Sequence, residues 1–214
     1  MLGGTGPAGS AFALRYADLG HRVTIGSRDS KRAQTLVASL TATHSQLEGR
    51  LVGADNASAA SADIVVVATP WEGTEDVIDS VVEYLRGKIV VTMVNALYKR
   101  QKTLSSLILP RGSVAEHLSS MLPSSKVVGA FHHAPAKELG NISEPLDLDV
   151  LVCSDDGAAC DEVVELANEI PGTRGICAGS LSSAQAIEAM TAVLINVNVK
   201  YKTRSSLKLS GLKV

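Results

Sequence analysis

Short, almost purely apolar runs alternate along the chain with longer stretches whose apolar residues recur at helical spacing. The runs at 64–68 (Ile-Val-Val-Val-Ala) and 88–92 (Lys-Ile-Val-Val-Thr) have no polar face, as expected of parallel strands covered on both sides. Further strands are predicted at 21–25, 51–54, 127–131 and 150–153. Helices are predicted at 11–19, 29–40, 72–85, 114–121, 157–169 and 184–199, with Gly20 suited to closing the first of them. This alternation predicts an α/β fold: a Rossmann-type doubly wound, mostly parallel sheet with a C-terminal helical extension. No internal repeat is present, and the small-residue segment 58–62 is too short for a disordered linker.

The chain opens with Gly4-Thr5-Gly6-Pro7-Ala8-Gly9 immediately before the first predicted helix. In the spacing G-x-G-x-x-G the glycines permit a tight turn, close approach of backbone to a pyrophosphate, and close packing of helix on strand. A strand of about five residues usually leads into such a turn. Only Met1 and Leu2 precede Gly3, so this strand is either a stub or the remainder of a longer one. The second predicted strand ends in Gly26-Ser27-Arg28, with Lys31 and Arg32 one turn further on. An NAD site places Asp or Glu there to bind the ribose 2′-hydroxyl. A guanidinium instead donates to a 2′-phosphate in a charge-assisted fork. The expected dinucleotide is therefore NADP. The alternative is that Ser27 merely caps the next helix and that Lys31 and Arg32 are solvated helix charges.

At 214 residues the chain can bury one substantial core with a small appendage. A net charge of −2 and a pI near 6.2 argue against a nucleic-acid partner. Cys153, Cys160 and Cys177 are odd in number and lack C-x-x-C spacing. They fit reduced thiols in a cytoplasmic protein better than a disulfide frame or a metal site, so no metal is expected. No run reaches membrane-spanning length and no secretory segment precedes the glycine turn, so no membrane association is expected and the Asn-x-Ser matches at Asn56 and Asn141 are coincidental.

In open α/β sheets, ligands bind outside the carboxyl ends of strands. Thr69-Pro70-Trp71, Asn95 and His132-His133-Ala134-Pro135 all follow predicted strands. The tail from residue 200 carries Lys200, Lys202, Arg204, Lys208 and Lys213 and no acidic residue. It is either a solvated tail or an anion-facing lid.

With these residues the chain resembles the coenzyme F420-dependent NADP oxidoreductases. The likeness runs through Leu2-Gly-Gly-Thr-Gly6, Leu19-Gly-His21, Gly26-Ser-Arg28, Pro70-Trp-Glu72, Lys88-Ile-Val-Val91 and Lys126-Val-Val128 to His132 and Pro135. It continues through Ala178-Gly179, Leu181-Ser182 and Glu188. The resemblance implies hydride exchange between NADPH and C5 of an 8-hydroxy-5-deazaflavin, coenzyme F420. It implies that Thr5, Gly6, Pro7 and Ala8 hold the pyrophosphate and that Ser27, Arg28 and Arg32 hold the 2′-phosphate. Thr69, Trp71, Asn95 and Ala134 would surround the two rings, with Leu207 helping to close the pocket. Gly4, Gly9, Pro70 and Pro135 complete the expected cofactor-binding set. On this reading residues 1–178 form the NADP-binding domain, and 179–214 supply the helix and tail that complete the acceptor pocket. The chain departs from the family pattern in its more polar Met93-Val94-Asn95-Ala96 and in His133, which replaces a smaller residue.

Ring-to-ring hydride transfer requires stacking, near-attack geometry and exclusion of water rather than a nucleophile. His132 is the candidate catalytic group, stabilising charge on the acceptor's pyrimidine edge; the alternative is a strand-end histidine without a role in rate. His133, pointing the other way in an extended chain, is expected to be solvent-facing or structural. His21, His44 and His117 are expected at the surface, and Trp71 either borders the ring pocket or plugs a packing gap. Two other functions remain open: an NADPH-dependent reductase of a flavin or small carbonyl compound, and a noncatalytic NADPH sensor. The apolar last helix makes a homodimer the default assembly.

Overall fold

The computed structural model describes residues 1–212, so Lys213 of the basic tail lies outside the described residues. Helix α1 (Pro7–Asp18) leads to β1 (Val23–Ser27), α2 (Ser30–Thr43), β2 (Leu51–Asp55), α3 (Asn56–Ala59) and β3 (Ile64–Val67). Next come α4 (Thr74–Asp79), β4 (Ile89–Thr92), a hairpin of β5 (Leu97–Arg100) and β6 (Thr103–Ser106), α5 (Val114–Met121) and β7 (Lys126–Gly129). The chain continues through α6 (Ala136–Leu139), β8 (Leu148–Ser154), α7 (Gly157–Asn168), β9 (Thr173–Cys177) and α8 (Ala184–Tyr201).

The strands run in the order β3-β4-β7-β8-β9, with β1-β2 as a separate parallel pair. The short start of the chain joins the two groups. Leu2 N donates to Val66 O at 2.8 Å and Leu2 O accepts from Ala68 N at 3.0 Å, while Gly26 N donates to Met1 O at 2.8 Å. Two residues thus complete the layer between β1 and β3. β3, β4 and β7 are parallel, β7 and β8 are antiparallel, and β8 and β9 are parallel. The sheet is accordingly mostly parallel, and the first residues of β8 reach the end where β3, β4 and β7 finish.

Alternation along the central strands divides the core. Val66, Val91 and Val128 pack with Phe12 and Tyr16 of α1 and Val163 of α7. Val65, Val67, Val90 and Val127 pack on the other face with Ile78 of α4, Leu118 of α5 and Ile187 of α8. Both faces are covered, as the unbroken apolar runs require.

The expected helix over 72–85 forms instead as a 3-10 turn (Trp71–Gly73), the short α4 and a second 3-10 turn (Val82–Leu85). Gly73 stands at the N-cap of α4, and Ser80 Oγ donates back to Val77 O at 2.7 Å, competing with the helical ladder where α4 ends. The short helices α3 and α6, the β5–β6 hairpin and β9 lie outside the sequence expectations. The β5–β6 hairpin is largely exposed and polar, and β9 carries Arg174 and Gly175.

Candidate active site

The opening turn places Gly6 at the N-cap of α1 and Pro7 at its first position, where a proline's missing N–H and fixed φ cost nothing. A β-carbon on Gly6 would point into open space, whereas one on Gly9 would lie 2.8 Å from Gly4 Cα. Gly9 therefore lets the helix close on the turn, and Gly6 keeps the helix N-terminus accessible to an anion. Gly4 supports the turn from below, donating its N–H to Gly26 O at 3.0 Å.

A cleft of about 420 Å³ opens beside this turn. Gly3, Thr5, Gly6, Ser27, Arg28, Arg32, Asn56, Thr69 and Pro70 line it, with Glu72, Gly73, Asp76 and Val77 on the far wall. The turn residues and the β1-end residues expected to bind a 2′-phosphorylated dinucleotide thus share one cleft. Asp29 does not spoil the phosphate end, because its carboxylate caps α2 by accepting from Lys31 N at 3.0 Å. Asn56 was missed by the sequence reading. It is buried and accepts from Gly3 N at 3.3 Å, buttressing the glycine turn. The only sequence signal was its place just after β2.

Beyond the cleft, the ends of β4 and β7 form a knot. Asn95 Nδ2 donates to His132 O at 2.9 Å, and Thr191 Oγ1 of α8 donates to the same carbonyl at 3.1 Å. Phe131, just before it, has φ of 61°, a left-handed conformation costly for a bulky residue and held only where its surroundings over-determine it. Its ring sits edge-on to Phe12 at 5.1 Å between centroids.

His132 does not project from the sheet end as expected. It is 4% exposed, because the β4 end and α8 close over it, and its Nδ1–H donates to Val94 O at 3.2 Å. Burial, then the neighbouring His133, hold its pKa down at about 3, so the ring is neutral. His133 is structural rather than solvent-facing: it is 6% exposed, and burial lowers it to about 4. Asn95 Oδ1, His132 Nε2 and both ring nitrogens of His133 are buried without a protein partner. A polar ring system bound beside them would supply what the protein leaves unsatisfied.

Trp71 packs half-buried on the α4–α5 core and meets the His117 ring edge-on at 6.5 Å; it plugs rather than lines the cleft. His117 pairs with Glu75 and His21 with Glu169, both near the surface. Ala134 turns the chain, donating to Phe131 O at 3.1 Å. Pro135 borders a second groove with Glu138, Leu148, Arg204 and Ser206. Leu207 O in the tail accepts from Asp149 N at 2.9 Å. The buried Asp149 carboxylate takes a bidentate pair from Arg174, both bonds 2.7 Å, and accepts from Leu209 N at 2.6 Å. These bonds hold Asp149 below the usual aspartate range. The tail is therefore strapped across the starts of β8 and β9 rather than solvated. Among its basic residues, Arg204 pairs with Glu138 and Lys208 with Asp147.

The family described as NADP oxidoreductase, coenzyme F420-dependent, matches residues 1–96. An F420-dependent NADP reductase of Methanocaldococcus jannaschii is 36% identical over all of this chain and 98% of its own length. The chain belongs to this family. The F420-dependent NADP reductase of Methanothermobacter thermautotrophicus is 33% identical over 96% of the chain and 91% of that relative. Family membership extends to the architecture. A crystal structure from Arthrobacter sp. FB24, assigned as an F420-dependent NADP-reductase, superposes with a TM-score of 0.84 at 26% identity, covering 96% of each chain. An imine reductase of Streptomyces aurantiacus, at 21% identity and a TM-score of 0.59, covers 91% of this chain and 59% of its own and shares the fold alone. Within the family frame, the glycine turn, Ser27, Arg28 and Asn95 all fall inside the matched 1–96, whereas His132, Thr191 and the tail lie beyond it.

Proposed function

We propose that this chain transfers a hydride between NADPH and the 8-hydroxy-5-deazaflavin coenzyme F420. The carrying observation is the single cleft that gathers the glycine turn with Ser27, Arg28 and Arg32, in a chain whose full-length relatives are F420-dependent NADP reductases. Thr5, Gly6 and the α1 N-terminus with Pro7 and Ala8 hold the pyrophosphate, and Ser27, Arg28 and Arg32 hold the 2′-phosphate. Bound NADPH supplies the hydride chemistry. The protein's own contribution is to orient the two rings and exclude water between them. Thr69, Pro70 and Asn95 face the nicotinamide side. Ala134, Pro135 and the tail around Leu207 cover the acceptor. His132 acts through the turn it braces: its N–H is committed to Val94, so it positions Asn95 and Ala134 rather than donating to the acceptor.

The exposed Met190, Val193, Val199 and Tyr201 of α8, with Leu107 and Ile108 beside the hairpin, support a homodimer through this face. Three free cysteines fit a reducing cytoplasmic setting, and no described helix is long and apolar enough to cross a membrane. Mixing pure protein with NADPH and the deazaflavin should bleach the deazaflavin absorbance. Turnover with a flavin or a carbonyl compound alone would reassign the acceptor, and NADPH binding with no acceptor reduced would make the protein a sensor.

A further inference from the structure

Helix α7 lies unusually close to β9. A β-carbon on Gly175 would fall 2.4 Å from Val164 O, and the Gly175 N–H donates to Asn168 Oδ1 at 2.7 Å. Only a residue without a side chain admits the helix at this distance. Two residues on, and so on the same face of β9, stands Cys177. Its Sγ is 2.9 Å from Cys160 Sγ of α7, and the two are 17 residues apart in sequence. Two sulfurs at that separation are inside van der Waals contact, and a small shift reaches the disulfide bond length of about 2.05 Å. Cys177 is exposed and Cys160 buried.

We propose that Cys160 and Cys177 form a thiol–disulfide exchange site whose reactant is a low-molecular-weight disulfide such as oxidised glutathione. The solvent-facing Cys177 thiolate attacks one sulfur of the reagent, breaking its S–S bond and releasing one glutathione thiolate. Cys160 then gives up its proton and attacks Cys177 Sγ, breaking the mixed disulfide and releasing the second glutathione. The protein loses two electrons and two protons, and one oxidised glutathione becomes two reduced ones. The order follows from access: burial, then the hydrogen bond to Cys177, push the Cys160 thiol up to about 12, so it resolves rather than initiates. Cys153 stays out of the exchange. It is buried with its thiol directed at Gly129 O, 3.7 Å away.

The site is separate from the cleft. Cys177 lies on β9, the edge strand furthest from β3 in the order β3-β4-β7-β8-β9, whereas the cleft is lined by the glycine turn and the ends of β1 and β3, so the pair lies at the opposite edge of the sheet from the cleft. Oxidation therefore latches α7 to β9 and leaves nucleotide binding alone.

Incubating the wild-type protein with oxidised glutathione should reduce its titratable thiols from the three in the sequence to one. The mass should fall by two hydrogens, and a peptide map should join Cys160 to Cys177. Melting should rise by roughly 6–12 °C, as a loop of this length implies for a chain of this size. Dithiothreitol should reverse both changes, and NADPH affinity should stay constant throughout. Cys160→Ser should stop at a stable glutathione adduct on Cys177. Three unreacted thiols, a persistent glutathione adduct in the wild type, or a pair that includes Cys153 would each overturn the proposal.

Discussion

Arg28 lines the cleft, and on the proposed 2′-phosphate role losing one charge-assisted contact costs about 1.5–3 kcal/mol. Arg28→Ala should thus weaken NADPH binding about tenfold or more and leave NADH unchanged, which titration calorimetry with both nucleotides reads directly. Gly6 makes the complementary case. Its Cβ position faces open space, which the proposed pyrophosphate site would fill, so Gly6→Val should abolish NADPH binding while the melting temperature stays where it was; normal affinity would make the turn merely structural. For His132, a committed N–H and a pKa near 3 leave no ionisation to contribute near neutrality. The pH profile of kcat in His132→Gln should run parallel to wild type at a lower level, and a limb present only in wild type would restore a general-acid role. Ser27 and Arg28 were legible because charge at a strand end speaks for itself. Asn56 and the burial of His132 were not. Whether a polar side chain is covered depends on residues far along the chain, here Gly3 for the amide and Val94 and Thr191 for the histidine turn.

Helix α1 carries more than the cofactor turn. Arg15, 2% exposed, donates to the carbonyls of Glu138, Leu139, Asn141, Ile142 and Glu144, and burial lowers its pKa. One guanidinium thereby satisfies the backbone of the segment after α6, which has few hydrogen bonds of its own. Glu138 O and Asn141 O keep backbone donors in Asn141 N and Glu144 N, but Arg15→Met takes the guanidinium from the carbonyls of Leu139, Ile142 and Glu144, so it should destabilise by at least about 3 kcal/mol in urea unfolding. Elements whose signals are local matched the expectations closely. α5 begins after Ser113, whose Oγ accepts from Glu116 N at 3.0 Å while Glu116 Oε2 accepts from Ser113 Oγ at 2.9 Å. The hairpin escaped notice because its register is fixed from outside. Asn196 of α8 accepts from Leu104 N and donates to Leu104 O, mimicking a neighbouring strand. β9 escaped because Gly175, which looks like a strand breaker in sequence, is what α7 requires.

At the scale of the whole molecule, two buried neutral histidines and one buried carboxyl set the response to acid. His133 is held at about 4 against 6.5 in the unfolded chain, and His132 at about 3. Folded pKa values below the unfolded ones mean that this stability is complete above pH 6.5 and is lost as pH falls towards 4, at about 1.4 kcal/mol per unit for each ring. Glu188, raised to about 7 by burial although it accepts from Val114 N and Ala115 N, opposes them, since its share fades as pH rises from 4.5 to 7. Two rings outweigh one carboxyl, so acid wins. His133→Leu should flatten the fall in unfolding free energy between pH 6.5 and 4.5 by about one proton's worth, and an unchanged slope would mean the ring is hydrated and titrates normally.

The reversed strand β8 divides the ownership of the site. The nucleotide side is built from the glycine turn and the end of β1, close to the start of the chain. The facing side is built where β8 begins, from Asp149, Arg174 and the tail they strap down. On the proposed acceptor site, substitutions confined to 145–150 and 203–212 should remodel the second ligand's half and leave the NADPH half untouched, so one nucleotide grip would serve enzymes that exchange hydride with different acceptors.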